Sequence, residues 1–193
     1  MINGTSKLDE LLVNTGDMAL KRRARRIIAE LDPRPGETIV DIGCGDGYYL
    51  HLLSNLGIPR LRLVGTDFDV KGLEKTKTNL SGKKIKVLSG DLMAKLSFAD
   101  SSFNKAVMSE VAEHLLDDVR GLKEVYRILK PGGALCLTVP NANYPFLWDP
   151  LNWLLERVFG IHVKSGFLAG IWNQHHRLYT QNQIKVVLEK AGF

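Results

Sequence analysis

Five short apolar runs, each bounded by turn residues, constrain this chain more than any other feature. They are TIVDIG (38–43), LRLVGTD (61–67), KIKVLSG (84–90), NKAVMSE (104–110) and GALCLTV (133–139). Helical periodicity fills the gaps between them. YYLHLLSNLG follows the first run, VKGLEKTKTNL follows the second, and DVRGLKEVYRILKPGG leads into the fifth. That last helix is expected to stop at Pro131-Gly132-Gly133. Strands that alternate with helices require parallel βαβ crossovers, so the expected class is α/β, an open and mainly parallel sheet with helices on both faces.

A length of 193 residues suits one domain with a sizeable core. No internal repeat, low-complexity tract or linker interrupts it. We read residues 1–193 as a single domain with four parts. These are an N-terminal helical segment (1–37), a core (38–139), an insert (140–176) and a last helix (177–193). The opening MINGTSKLDE is polar, so no signal peptide is expected. Apolar runs such as FLAGIW fall far short of the roughly 20 residues of a membrane span. The two cysteines, Cys44 and Cys136, belong to no CxxC or Cys/His cluster, so no metal site is expected and the compartment is read as cytoplasmic and reducing.

The net charge of +5 has one source, the run KRRARR at 21–26. Leu20, Ala24, Ile27, Ile28 and Leu31 recur through it at helical spacing. The expectation is a helix packed by that stripe, with its cations mostly in water. The alternative is a patch for RNA or anionic lipid. No aromatic residue interleaves the run to stack on bases, which favours the solvated face.

The most informative stretch is VDIGCGDGYYL, residues 40–50, at the first strand-to-helix turn. Open α/β sheets bind ligands there, beyond the carboxyl ends of their strands. A dinucleotide loop, G-x-G-x-x-G, fails by register, because its third glycine would be Tyr48. The observed pattern is D-x-G-x-G-x-G, with Asp41 two residues before Gly43 and with Gly45 and Gly47 after it. A carboxylate beside phosphate oxygens is repulsive, whereas it suits a cation. S-adenosylmethionine has no phosphate and carries a sulfonium and an ammonium. Asp67, at the end of the second strand, is placed to accept both hydroxyls of a ribose, in charge-assisted bonds worth about 1.5–3 kcal/mol. Asp69 is the better cap for the following helix.

These residues resemble the class I S-adenosylmethionine-dependent methyltransferases, in particular the methyltransferase type 11-like group, over about Ile27 to Phe193. VDIGCGDG is similar to the family's first motif, which implies cofactor contacts along Asp41, Gly43, Cys44, Gly45 and Gly47. VGTDFD is similar to the second, which implies that Asp67 holds the ribose and Phe68 packs beside the adenine. SGDLMAKLSFADSSFNKAVMSEVAEHL is similar to the third and fourth. By that match Asp91 and Leu92 flank the adenine, and Ser109 and Glu110 lie near the methionine end. Asp91 also reads as a simple turn residue. Cys44 reads as merely small, and Tyr48 and Tyr49 as ordinary packing. The resemblance implies a Rossmann-like sheet of order 3-2-1-4-5. The family fold ends in a β-hairpin, and this sequence stops at VVLEKAGF, where that hairpin should begin. The fifth strand is then expected to be an open edge that invites self-association.

The resemblance implies transfer of a methyl group from S-adenosylmethionine, by direct displacement, to a small and partly apolar acceptor. An oxygen or carbon acceptor needs a base, and the candidates are Glu110, Glu113, His114, His175 and His176. Packing or capping is the alternative for each histidine and for Glu113. The insert 140–176 holds all three tryptophans. Within it DPLNWLLERVFG places Leu151, Leu154, Leu155, Val158 and Phe159 on one helical face, after an Asp149-Pro150 start. We read it as a lid over the acceptor, against a flap packing on its own core or a helix lying on a membrane surface. SEVA stands where adenine-N6, cytosine-N4 and glutamine methyltransferases carry N-P-P-Y or D-P-P-Y, and where DNA cytosine-C5 enzymes carry Pro-Cys. The acidic segment of aminopropyl transferases is absent too. A non-catalytic cofactor-binding regulator and an RNA methyltransferase using the 21–26 run remain the competing readings.

Overall fold

The computed structural model describes residues 4–144, 150–160 and 177–193. Five parallel strands form one sheet in the order β3-β2-β1-β4-β5, as expected. They are β1 (Thr38–Ile42), β2 (Arg62–Asp67), β3 (Lys86–Ser89), β4 (Phe103–Ser109) and β5 (Leu129–Thr138). The helices are α1 (Gly4–Leu12), α2 (Met18–Leu31), α3 (Tyr48–Asn55), α4 (Val70–Asn79), α5 (Asp118–Ile128), α6 (Pro150–Phe159) and α7 (Gln181–Ala191). None is long and apolar enough to cross a membrane. Among the described residues β5 pairs with β4 alone.

Two hydrophobic cores sandwich the sheet. One face packs α1, α2 and α3 on Ile39 and Val107, with Leu12, Ile27, Leu31, Leu50 and Leu53 buried. The other packs α5 and α7 on Val40, Ile42, Ala106 and Met108. β1 lies at the centre and its Ile39–Ile42 are all buried, as a parallel strand covered on both faces must be.

Helix starts follow the caps. Asp17 accepts from the Ala19 and Leu20 amides at the head of α2. Asp69 accepts from Lys71 and Gly72 at the head of α4, the capping role expected of it. Thr180 and Gln183 form a reciprocal capping box on α7, so the last helix starts at Gln181 and Arg177–Thr180 precede it as extended chain.

Two expectations need correction. The helix before the fifth strand ends at Ile128, not at the Pro-Gly-Gly stop. Leu129 is already extended (φ −77°, ψ 140°) and pairs with Phe103. Lys130, before Pro131, is disfavoured in helix, and the chain bulges until Ala134 rejoins Lys105. Neither Glu113 nor His114, each weighed as a cap, is the N-cap of α5: they sit in a separate 3₁₀ turn, Ala112–His114, and Asp117 caps α5 after it. The basic run lies as expected, with Arg22, Arg25 and Arg26 exposed to water and Lys21 and Arg23 half-buried. Its apolar stripe is buried, and Arg23 pairs with Glu110 (3.6 Å), Arg25 with Asp9 (2.8 Å) and Arg26 with Glu30 (2.8 Å).

Candidate cofactor site

A cavity of about 750 Å³ opens over the carboxyl ends of β1 to β4. Ile42 and Gly43 line it from β1, Thr66, Asp67 and Phe68 from β2, and Gly90, Asp91 and Leu92 from the end of β3. Glu110, Val111, His114, Leu115 and Leu116 close the side beyond β4, with Met93 and Leu96 in the remaining wall. Each strand stops here because its last residues leave the sheet for a turn, which exposes backbone amides and short polar side chains to one space.

The glycine loop is held by β2. The Thr66 carbonyl accepts from the Gly43 and Cys44 amides (2.8 and 3.1 Å). Asp67 Oδ2 accepts from the Gly45 amide (2.7 Å) and Oδ1 from the Asp69 amide (2.8 Å). Each oxygen keeps a further lone-pair direction, so the carboxylate can still take two hydroxyls. Gly43 is left-handed (φ 69°), and a Cβ there would sit 2.3 Å from the Val111 side chain. Gly47 is left-handed too (φ 88°), with Thr76 and Leu80 at contact distance from any Cβ. These two positions therefore exclude other residues on steric grounds.

Of the residues singled out from sequence, Gly43, Asp67, Phe68, Asp91, Leu92, Glu110 and His114 share the cavity. Phe68 is 76 % exposed, an aromatic ring lining the cavity at its rim. Asp91 Oδ1 accepts from the Met93 amide (2.8 Å), so the turn role and the cavity position coexist. Cys44, Gly45, Gly47 and Ser109 do not line it. Cys44 is buried, and burial foremost pushes its thiol up to about 12, which leaves it inert. Asp41 is not at the mouth: it lies beneath the loop, 1 % exposed, with its carboxyl pushed up to about 8 by burial and by Asp67 and Asp46. Glu113 is fully buried outside the cavity wall, and burial raises it to about 8 as well. His175 and His176 lie outside the described residues, as do Trp148 and Trp172.

Sequence reasoning missed several features. Glu110, directly after β4, holds a left-handed backbone (φ 56°) that a non-glycine residue adopts only under constraint. Its side chain meets Arg23 of α2. Ser109 Oγ lies between the Tyr49 hydroxyl (3.1 Å) and Thr138 Oγ1 (2.9 Å), so Tyr49 ties α3 to β4 rather than merely packing. Met93, Leu96, Val111, Leu115 and Leu116 add apolar wall; the first four lie in the stretch SGDLMAKLSFADSSFNKAVMSEVAEHL and Leu116 follows it directly.

The insert is pinned at its base. Tyr179 donates its amide to the Pro140 carbonyl (3.1 Å) and accepts from the Ala142 amide (2.9 Å). Its hydroxyl donates to Asp118 (2.8 Å), which also pairs with Arg177 (2.7 Å). Arg177 further donates to the carbonyls of the cavity residues Leu115 and Leu116. Burial opposes the charge on Asp118, yet the bonds from Tyr179 and Arg177 hold it below the usual carboxylate range. The two ends of the insert therefore meet beside the β4 wall of the cavity. Between them, α6 exposes Leu151, Leu154, Val158 and Phe159, and the Arg157 guanidinium stacks on Trp153 at 4.3 Å.

The residues present fit S-adenosylmethionine. A strand-end carboxylate with open lone pairs faces the cavity, an exposed aromatic ring stands beside it, and the loop under it carries no phosphate-binding register. Residues 40–137 match the family model of a methyltransferase domain. A demethylmenaquinone methyltransferase of Corynebacterium kroppenstedtii is 34 % identical over 128 residues, which is 66 % of this chain and 52 % of that protein. The chain spans about half or less of the length of the curated relatives it matches first. Among solved structures, a SAM-dependent methyltransferase from Aquifex aeolicus superposes with a TM-score of 0.63 at 18 % identity, over 97 % of this chain and 87 % of that one. A phosphoethanolamine N-methyltransferase of Haemonchus contortus, solved with S-adenosyl-L-methionine, gives 0.64 at 20 % identity over 89 % and 36 %.

Proposed function

This chain belongs to the class I S-adenosylmethionine-dependent methyltransferases, and on that footing we propose that it methylates a small, partly apolar acceptor held between the β4 side of the cavity and the insert. The cofactor, when bound, supplies an electrophilic methyl on a sulfonium. The chain's own task is to orient both partners and to keep water out. In this reading Asp67 holds the ribose, Phe68 and Leu92 flank the adenine with Asp91 at its edge, and the Gly43–Gly47 loop carries the methionine end.

The observation that carries the acceptor class is the wall beyond β4. Val111, Leu115 and Leu116 are apolar, Glu110 and His114 are the polar groups among them, and the insert is pinned against the same residues. Such a wall suits a ring or chain with one reactive polar atom. The acceptor named for the Corynebacterium relative, a demethylmenaquinone, is of that kind. Glu110 and His114 are the candidate bases for an acceptor that must lose a proton. The three ion pairs of α2 weigh against an RNA acceptor, because they occupy cations that phosphates would need.

A screen of acceptors with methyl-labelled cofactor tests the reading. Label is expected in apolar ring or quinol acceptors and not in generic RNA. Label in RNA alone would overturn the acceptor class, and binding without turnover on any acceptor would favour a non-catalytic regulator.

A further inference from the structure

Asp41 stands at the third position of β1, beside Gly65 of β2 and Val107 of β4. Its side chain is buried, and Oδ2 meets no hydrogen-bond donor. A charged carboxylate so placed carries its desolvation cost uncompensated. The groups acting on it make this worse. Asp67 at the end of β2 and Asp46 in the glycine loop both oppose a negative charge there. The Cys44 thiol of the loop and the Tyr49 phenol of α3 are also in its field, and burial pushes both upward, so each is neutral and supplies no counter-charge. Arg23 of α2 acts on Tyr49 and pairs with Glu110. The carboxyl thus holds its proton at neutral pH.

We propose that binding of the cationic cofactor is coupled to proton release from Asp41, so that this residue senses the charge held above the loop: the sulfonium of S-adenosylmethionine expels the proton, and the demethylated product, lacking that charge, leaves it in place. Asp41 does not line the cavity, so the coupling runs through charge rather than a direct bond. The inference rests on S-adenosylmethionine occupying the cavity. It gives the site a means of distinguishing substrate from product that shape alone offers weakly, since the two differ by one methyl group.

The sign follows from linkage. A complex that binds fewer protons than the free protein forms more tightly as pH rises. Affinity for S-adenosylmethionine should therefore increase by up to about tenfold per pH unit between roughly pH 6 and 8, and flatten above it. Product affinity should change much less. The two ligands share their carboxylate, and the sulfonium, which makes the ammonium of S-adenosylmethionine the more acidic one, adds only proton uptake on binding, opposite in sign to the release expected.

The test is calorimetric titration of the chain with each ligand at pH 7 in two buffers of different ionisation enthalpy. Release approaching one proton for S-adenosylmethionine, and well below that for S-adenosylhomocysteine, is expected. Asp41→Asn should erase the difference. Equal release for the two ligands, or a difference that survives in Asp41→Asn, would overturn the proposal. If that variant does not fold, the two-ligand comparison on the native chain decides alone. Failure to bind either ligand would overturn the cofactor assignment and this coupling with it, whereas binding with equal release overturns only the coupling.

Discussion

α2 and α6 carry the same apolar spacing and end in opposite places. In α2 the stripe Ala24, Ile27, Ile28 and Leu31 is at most 6 % exposed and packs on the sheet. In α6, Leu151, Leu154, Val158 and Phe159 are 42–65 % exposed. Periodicity specifies a helix and one apolar face; it does not specify what covers that face. The order of elements decides that. α2 leads directly into β1 and is laid across the sheet, while α6 is carried on an insert whose ends are tied beside the cavity. An exposed apolar face beside the cavity is what the proposed lid over the acceptor would need.

The largest effect that would sharpen this contrast is on stability. Leu31→Ala should cost about 2–5 kcal/mol in denaturant unfolding, because it opens a cavity in a closed core. Leu154→Ala should stay within about 0.5 kcal/mol, as surface substitutions do. Comparable losses for the two would erase the distinction. The converse holds for turnover. Leu154→Ala or Phe159→Ala should raise KM for an apolar acceptor about tenfold, the scale of a lost apolar contact, while cofactor affinity stays nearly unchanged. A normal KM with the best acceptor found would return α6 to a passive role.

A smaller, pH-dependent effect comes from beneath the loop. Asp41 and Glu113 both hold their protons up to about pH 8, against ordinary values of 3.8 and 4.5. A raised acid binds more protons in the folded chain than in the unfolded one. Its stabilising contribution is complete below about pH 4 and is lost as pH rises through about 8. Thermal unfolding of Asp41→Asn against the native chain should therefore shift progressively in the variant's favour from pH 5 to pH 9. A constant difference across that range would contradict the buried assignment. The smallest effect is expected on the outer face of α2. Arg25→Ala should cost less than about 1 kcal/mol, since the pair with Asp9 is exposed, and generic RNA should show no salt-dependent binding that the variant weakens.

What the sequence made legible is what the backbone dictates locally. Gly43 and Gly47 are readable because a left-handed turn admits little else, and the place of Asp67 in the cavity wall because strand ends of an open sheet border such a space. The strand runs survive with ends moved by one or two residues, except that β5 starts four residues earlier, at Leu129. What was not legible is long-range. Arg23 meets Glu110 only because α2 crosses the end of β4. The end of α5 at Ile128 depends on Leu129 finding Phe103, not on the Pro-Gly-Gly stop. The Tyr179–Asp118–Arg177 cluster joins residues some 60 positions apart. Asp41 was legible as an acid beside the glycine turn, but its depth in β1, with Oδ2 left without a partner, was not.

The central claim is that the cavity over β1 to β4 holds S-adenosylmethionine with Asp67 on its ribose. Calorimetric titration of the native chain and of Asp67→Ala with S-adenosylmethionine at one pH tests it directly. Saturable binding by the native chain is predicted, weakened in the variant by about ten- to a hundredfold through the loss of charge-assisted bonds worth about 1.5–3 kcal/mol. Equal affinity of the two proteins, each shown to be folded, would contradict it.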